Sequence, residues 1–286
     1  KVNEKIDLTQ LDVDEDPNFF TLKSFGVVFK DIEKEHMGIS HLNANTPYVV
    51  RLDGHAFRTF AKPFVKPMDI HLHEIMIRTT MDLVTNFHAV TGYTQSDEIS
   101  LVFPSLPKLP SGESQVPAFG GKMIKVCTLL ASYATARFNF HAASLVSKWD
   151  SIKVPDSKKR ARIHDTLTSG MAYFDARAFN VPSMREALFN IMWRSNFDNQ
   201  RNSRLQVGFF HFGKKAIHGL STRDVTNKLL SEKDLDFDKM HTSFQFGTFI
   251  KKRKVFIDAT NKKTGEMVQA QRTALIAFSL RLRNNS

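Results

Sequence analysis

Arg51-Leu52-Asp53-Gly54-His55-Ala56-Phe57 closes an apolar, β-prone run that begins at Tyr48-Val49-Val50. Ser96-Asp97-Glu98 stands between two more such runs, Gly92-Tyr93-Thr94-Gln95 and Ile99-Ser100-Leu101-Val102-Phe103. From Met68 to Val90, the residues Leu72, Ile75, Met76, Leu83, Val84 and Phe87 recur at helical spacing. A strand, a helix, then a hairpin with acids at its turn brings Asp53 and Asp97 to neighbouring strands. Two carboxylates so placed repel unless a cation neutralises them, and Asp oxygens suit a hard ion such as Mg²⁺. A pair of such ions, on the order of 4 Å apart, serves in-line phosphoryl chemistry. Taken singly, an Asp-Gly after a strand and a Ser-Asp at a hairpin are also ordinary turn sequences. The co-occurrence of the two motifs on one strand-helix-hairpin unit is what points to a site.

The chain has 286 residues, 42% of them hydrophobic, enough for one large domain or two small ones with a true core. Phe is abundant at 25 residues and Trp scarce at 2, which suggests aromatic core packing. The formal net charge of +11 fits a polyanionic partner, most simply nucleic acid, although a generically basic soluble protein has the same balance. Cys127 is the only cysteine, which excludes an intramolecular disulfide and a Cys-based zinc site and fits a reducing compartment. It lies in an apolar helical run and reads as a buried thiol. No apolar run reaches membrane-spanning length, the longest uncharged stretch, Val126 to Ala136, ending at Arg137.

Residues 1–46 read as an N-terminal arm, acidic to about residue 20 with Asp12-Val13-Asp14-Glu15-Asp16-Pro17, and a short helix over 23–36. After Asp53 the prolines of Lys62-Pro63 and Lys66-Pro67 stiffen a connector that holds Lys66 near the acidic site. Lys66 is there either a phosphate contact or a solvated lysine. Phe119-Gly120-Gly121-Lys122 precedes a long helix, and Lys122 and Lys125 fall on one face of it, a candidate triphosphate platform. The basic run Lys158-Lys159-Arg160-Ala161-Arg162 reads as a solvated loop, the alternative being a grip on phosphates. Met171 to Arg177 reads as the next strand. The order strand, helix, strand, strand, helix, strand is the split βαβ, ferredoxin-like arrangement, an α+β palm spanning 47–180. The remainder, 181–286, reads as a helical and β-hairpin extension packed on it. That extension carries Trp193-Arg194, Asp198, Arg201-Asn202-Ser203-Arg204 and the basic centre Lys251-Lys252-Arg253-Lys254 of an alternating segment over 244–257. Arg and Asn on an exposed helix face hold phosphates or ribose hydroxyls, or else form a salt-bridged surface.

Arg51-Leu52-Asp53-Gly54-x-x-Phe57, Lys66-Pro67-x-Asp69 and Gln95-Ser96-Asp97-Glu98 together resemble the nucleotide-binding core of the tRNAHis guanylyltransferase superfamily, the 3′-to-5′ reverse polymerases. Phe174-Asp175-x-Arg177, Trp193-Arg194 and Thr264-Gly265-Glu266 fit too, and the resemblance runs from about residue 47 to 275. Eukaryotic guanylyltransferases carry a His-x-x-Asn-x-x-Tyr-Asn-like signature after Trp-Arg. Here Asp198-Asn199-Gln200-Arg201-Asn202-Ser203 stands in its place and is similar to the version in the guanylyltransferase-like branch. That branch implies template-dependent repair of 5′-truncated tRNAs, the alternative being addition of a single G to tRNAHis.

The resemblance implies a two-Mg²⁺ polymerase palm with ATP and other NTPs as substrates. It assigns metal binding to Asp53, the Gly54 carbonyl and Asp97, with Glu98 assisting. Nucleotide and triphosphate binding falls to Arg51, Gly54, His55, Ala56, Phe57, Lys66, Ser96, Lys122 and Lys125. Contact with tRNA falls to Arg177, Arg194, Arg201, Asn202, Lys251, Lys252 and Arg253. It further implies a homotetramer, a dimer of dimers; the compartment, cytoplasm or mitochondrion, is left open by the sequence. A palm-type nucleotide cyclase would use the same acids without the basic second half. A non-catalytic tRNA-binding protein would explain the charge and leave Asp53 and Asp97 unexplained.

Overall fold

The structure, a computed structural model, describes residues 26, 28–32, 35, 41–113, 115–149, 157–261 and 263–281. The acidic arm lies outside the described residues, and so does part of the expected helix over 23–36, whose described residues are helical.

Six antiparallel strands form one sheet in the order β4-β1-β3-β2-β5-β6. These are β1 (Tyr48–Gly54), β2 (Thr91–Gln95), β3 (Glu98–Phe103), β4 (Phe174–Asn180), β5 (Thr248–Thr260) and β6 (Met267–Phe278). The first four give the ferredoxin-like palm expected from the sequence. Alternation along β1 sorts the core. Val50 and Leu52 face one layer with Ile99, Leu101 and Ala178, while Val49 faces the other with Val102 and Phe179.

Two helices cover the first face. Helix α2 (Ile70–Asn86) follows the short α1 (Phe57–Phe60), and its N-cap Asp69 accepts from the amides of His71 and Leu72. It lies so close to β2 that a Cβ on Gly92 would come within 2.8 Å of Thr80. Helix α3 (Met123–Trp149) runs along β4 and buries Val126, Leu130, Ala134 and Phe138. Phe138 is the hub of an aromatic cluster, with Phe57, Phe60 and Phe174 rings 5.2 to 5.7 Å away.

Helix α4 (Ser157–Thr168) occupies the stretch expected to be a solvated loop. Its two buried residues, Ile163 and Leu167, stand four apart and pin the helix to the core, while the basic run stays on its wet side. Strand β4 begins at Phe174 rather than Met171, because the Asn139 side chain occupies both backbone groups of Ala172. The Gly-Gly segment forms a 3-10 turn, Ala118–Gly121, in which Phe119, Gly120 and Gly121 all have positive φ.

On the second face, α5 (Met184–Trp193) passes through a π-helical turn, Arg194–Asp198, into α6 (Asn199–Ala216). Helix α7 (Thr222–Lys233) packs on α6 around Val207, Val225, Leu229 and Phe237. The short α8 (Thr242–Phe246) takes up the start of the segment expected to alternate, and β5 follows after Gly247. Beyond Lys251, β5 pairs only with β6, so the hairpin runs out as a two-stranded arm. No helix among the described residues is long and apolar enough to cross a membrane.

Removing the hub should cost the most in this layer. Phe138→Ala is expected to destabilise the fold by roughly 3–5 kcal/mol, read as a shift of the urea unfolding midpoint, whereas Phe138→Leu should lose far less.

Candidate active site

The strand register lines up the carboxylates. Asp53 stands opposite Glu98 on β3 and opposite Asp175 on β4, so the three side chains share one face in a row across three strands. One row back along the strands, Arg51 stands opposite Arg177 and Ser100. Asp97 joins from the two-residue turn between β2 and β3. There Ser96 adopts φ 52°, a left-handed conformation rare for a side-chain-bearing residue, and its hydroxyl donates to the Asp97 carboxylate at 2.9 Å. The Gly54 amide donates to the Asp97 carbonyl at 3.0 Å and ties the turn to the end of β1.

Burial and crowding push Asp53, Asp97 and Glu98 toward neutrality. Burial raises the Asp53 pKa, Asp175 adds to this, and Arg51 and Arg177 oppose it. Burial and Asp53 also raise Asp97, against the Ser96 hydroxyl. Glu98 is pushed up to about 7, first by burial and then by Asp53, Asp198 and Asp97, with Arg51 opposing.

The second wall comes from the π-helical turn and α6. Arg194, 8% exposed, donates to Glu98 at 3.1 Å and to Asp198 at 3.3 Å. A buried polar network fixes this wall. The Ser195 hydroxyl donates to the Phe246 carbonyl at 2.6 Å, the Asn199 amide group to that of Gln245 at 2.7 Å, and the Gln95 amide group to that of Phe244 at 3.2 Å. Between the walls lies a cleft of about 150 Å³, bounded by Asp53, Ser96, Asp97 and Glu98 on one side and Asp198, Asn199, Asn202 and Gln206 on the other. Gln206 also donates to the Pro67 carbonyl at 2.8 Å, which brings the Lys66 loop to the cleft wall. The Lys66 ammonium itself donates to the Ala61 carbonyl at 2.7 Å, and burial lowers its pKa.

Several expectations change. Lys122 and Lys125 do not meet the acids. The Leu42 amide donates to the Gly121 carbonyl, and Asn43 is bonded to Asn180, which pairs with Tyr48. Lys122 therefore sits at the opposite end of β1 from Asp53, about 20 Å away along a seven-residue strand. The Gly54 and His55 amides are already used, the latter donating to the Tyr173 carbonyl at 2.9 Å, and cannot cradle a phosphate. The Phe57 side chain is a core residue, while Ala56, at φ 52°, makes the turn into α1. Arg194 is an interior positioning residue rather than an exposed RNA contact. Arg177 pairs with Asp175 at 3.7 Å, Arg201 pairs with Asp198 at 3.3 Å, and Asn202 reaches the cleft. Lys251, Lys252 and Arg253 lie at the root of the arm. The sequence reading missed Asp175, Asp198 and Gln206 as site residues. Asp175-x-Arg177 carried a signal, since it is Arg51-x-Asp53 written in the opposite direction on an antiparallel neighbour.

Among the described residues no three His, Cys, Asp or Glu side chains close into a metal cage. The set is instead an open one: the Asp53 and Asp97 carboxylates stand on one rim of the cleft, both raised in pKa first by burial.

A family model described as tRNAHis guanylyltransferase (Thg1) matches residues 28–182, more than half of the chain. The chain belongs to the tRNAHis guanylyltransferase family. Members of this Thg1 family are nucleotidyltransferases acting on tRNA. An uncharacterized protein, R259, of Acanthamoeba polyphaga mimivirus is 29% identical over 242 residues, covering 83% of this chain and 79% of that protein. A bacterial Thg1-like protein solved in complex with ATP superposes with a TM-score of 0.61 at 25% identity, covering 87% of this chain and 91% of the other. The tRNAHis guanylyltransferase of Saccharomyces cerevisiae shares the fold, with a TM-score of 0.56 at 21% identity over 75% of this chain and 90% of its own.

The raised Glu98 sets a pH dependence. From the ordinary glutamate value of 4.5 up to about 7, the folded protein keeps a proton at Glu98 that the unfolded chain has released. Stability should therefore fall as pH rises through that window and level off above it. Glu98→Gln should flatten the slope, leaving a residue from Asp53 and Asp97, which shift the same way. Thermal unfolding in chelator-treated buffer across the window checks this; a variant as pH-sensitive as its parent would refute it.

Proposed function

We propose that this protein extends the 5′ end of tRNA in the 3′-to-5′ direction, copying the opposite acceptor strand to repair truncated ends. One observation carries the reading. Asp53 and Asp97 converge at the rim of a polar cleft whose other wall is the Asp198-Asn199-Gln200-Arg201-Asn202-Ser203 segment, the part of the sequence that departs from the guanylyltransferase signature. The related bacterial structures were solved with ATP and with GTP, which supports nucleoside triphosphates as the small substrates.

The donor set fits Mg²⁺. That ion prefers one or two carboxylates, water and substrate phosphates to a closed protein cage, and the open rim at Asp53 and Asp97 offers that. The Gly54 carbonyl, at the end of β1, is the third donor in this assignment. Bound there, the ions would lower the pKa of an attacking hydroxyl and neutralise charge on the departing phosphate.

In the first reaction a 5′-monophosphate oxygen of the tRNA attacks the α-phosphorus of ATP, and pyrophosphate leaves. In the second the 3′-hydroxyl of the incoming nucleotide attacks the activated 5′ phosphorus, and AMP leaves. The residues of this chain hold the parts. Asp53 and Asp97 fix the reacting edge, and Ser96 holds the Asp97 carboxylate by its hydroxyl. Glu98, clamped by Arg194, orders water at the same edge. Arg51, one row behind, supplies positive charge, and Lys66 would have to leave the Ala61 carbonyl to reach a phosphate from its loop at the wall. Arg177, Arg201 and the basic root of the β5–β6 arm grip the RNA backbone. Sequence is read by Watson–Crick pairing between the incoming nucleotide and the opposite strand, so few base contacts are needed.

Asp53→Ala or Asp97→Ala is expected to reduce nucleotide addition by at least roughly a thousandfold while tRNA retention in a gel-shift assay persists. Full activity in either variant would end the assignment. A second prediction concerns the template. With a tRNA lacking its first nucleotide, the nucleotide restored should follow the opposite base when that base is changed. Addition of G whatever the template would instead favour the guanylyltransferase reaction that names the family.

A further inference from the structure

We propose that the stacked rings of His55 and Tyr173 form the platform on which the terminal base of the tRNA 5′ end rests while its phosphate lies at Asp53. This inference rests on the function proposed above and adds the docking site of its large substrate. His55 directly follows the last residue of β1, and Tyr173 directly precedes the first residue of β4, at the end where Gly54 pairs with Phe174. Their rings are nearly parallel, 18° apart with centroids 4.9 Å from each other. The His55 amide donates to the Tyr173 carbonyl at 2.9 Å, so the backbone fixes the pair independently of the rings.

Neither ring belongs to a buried cluster, and Tyr173 is 47% exposed. An aromatic pair that leaves its outer faces in water contributes little to folding, but offers a rigid flat surface to another ring. Base stacking on such a surface tolerates any base, because every base has a π-face. That suits an enzyme whose sequence information comes from pairing.

The position selects the occupant. The stack lies two strand residues, about 7 Å, past Asp53, comparable to the reach from a phosphate to its own base. The two-walled cleft lies on the β3 side of Asp53. The stack lies on the β4 side, and β4 is an edge of the sheet. A mononucleotide can be enclosed, but a polymer end must leave room for the rest of the polymer, which the open edge provides. Arg177, on the cleft face of β4 with a 42% exposed side chain, stands two residues beyond Asp175 to meet the backbone of the same strand.

The test uses the full chain and a tRNA transcript carrying 2-aminopurine as its 5′-terminal base. Binding should quench the probe. Tyr173→Ala should abolish the quench and raise the KM for truncated tRNA roughly tenfold, with the KM for the incoming NTP unchanged. Tyr173→Phe should restore both. The carbonyl that accepts from His55 survives in either variant, and equal melting temperatures would confirm that the fold does too. An undiminished quench in Tyr173→Ala, or a KM effect falling on the NTP rather than the tRNA, would overturn the platform. The quench needs no turnover. A Tyr173-dependent quench in a protein that adds no nucleotide would therefore uphold the platform while ending the catalytic reading.

Discussion

Like charges directly opposite one another across a sheet are destabilising, yet the register of β1 places Asp53 between Glu98 and Asp175. The apolar residues behind them impose this. Val49, Val102 and Phe179 must meet on one face, and Val50, Leu101 and Ala178 on the other. A slip of one residue would send every one of these side chains to the wrong face. Core packing thus holds the carboxylates together against their repulsion. Burial is the main reason that Asp53, Asp97 and Glu98 are raised in pKa, and the neighbouring carboxylates add to it.

The countercharges are distributed unevenly. Arg51 and Arg177 sit one row back and oppose the shift at Asp53. Arg194 is spent inside, shared between Glu98 and Asp198. Its backbone belongs to a π-helical turn, a distortion that recurs at functional sites because it re-aims side chains within a helix. Here the turn points Arg194 at β3 and starts α6 at an angle whose polar stripe, Asn199, Asn202 and Gln206, faces the acids. Asp53 and Asp97 face the cleft as an open pair of carboxylates, a donor set that suits a hard cation.

The palm was legible because its strands are unbroken β-prone runs and its first helix keeps strict apolar spacing. Helix α4 was not, since two apolar residues in a basic stretch give a faint period, and the partner that buries them lies elsewhere in the chain. The approach of Asp53 to the Ser96-Asp97-Glu98 hairpin was legible from topology, although the register sets Asp53 opposite Glu98 and leaves Asp97 in the turn. The platform at Lys122 and Lys125 failed on direction. The helix does start at those residues, but it starts at the far end of the sheet, a fact fixed by the contact of Leu42 with Gly121. Arg194 was misread because a sequence shows an arginine's charge and not its burial.

Asp53 therefore divides the site into two unlike halves. Toward β3 and α6 the surroundings are walled on two sides, polar and tied down by side-chain bonds to the carbonyls of α8. Toward β4 they are open, aromatic and at a sheet edge. A reaction that joins a small nucleotide to the end of a large folded RNA needs that asymmetry, for the small partner gains from enclosure and the large one cannot enter it. An ordinary turn at Asp53-Gly54 would require neither the exposed ring pair nor the polar stripe. Their placement on either side of one carboxylate is a stronger argument for two substrates meeting there than the acid motifs alone.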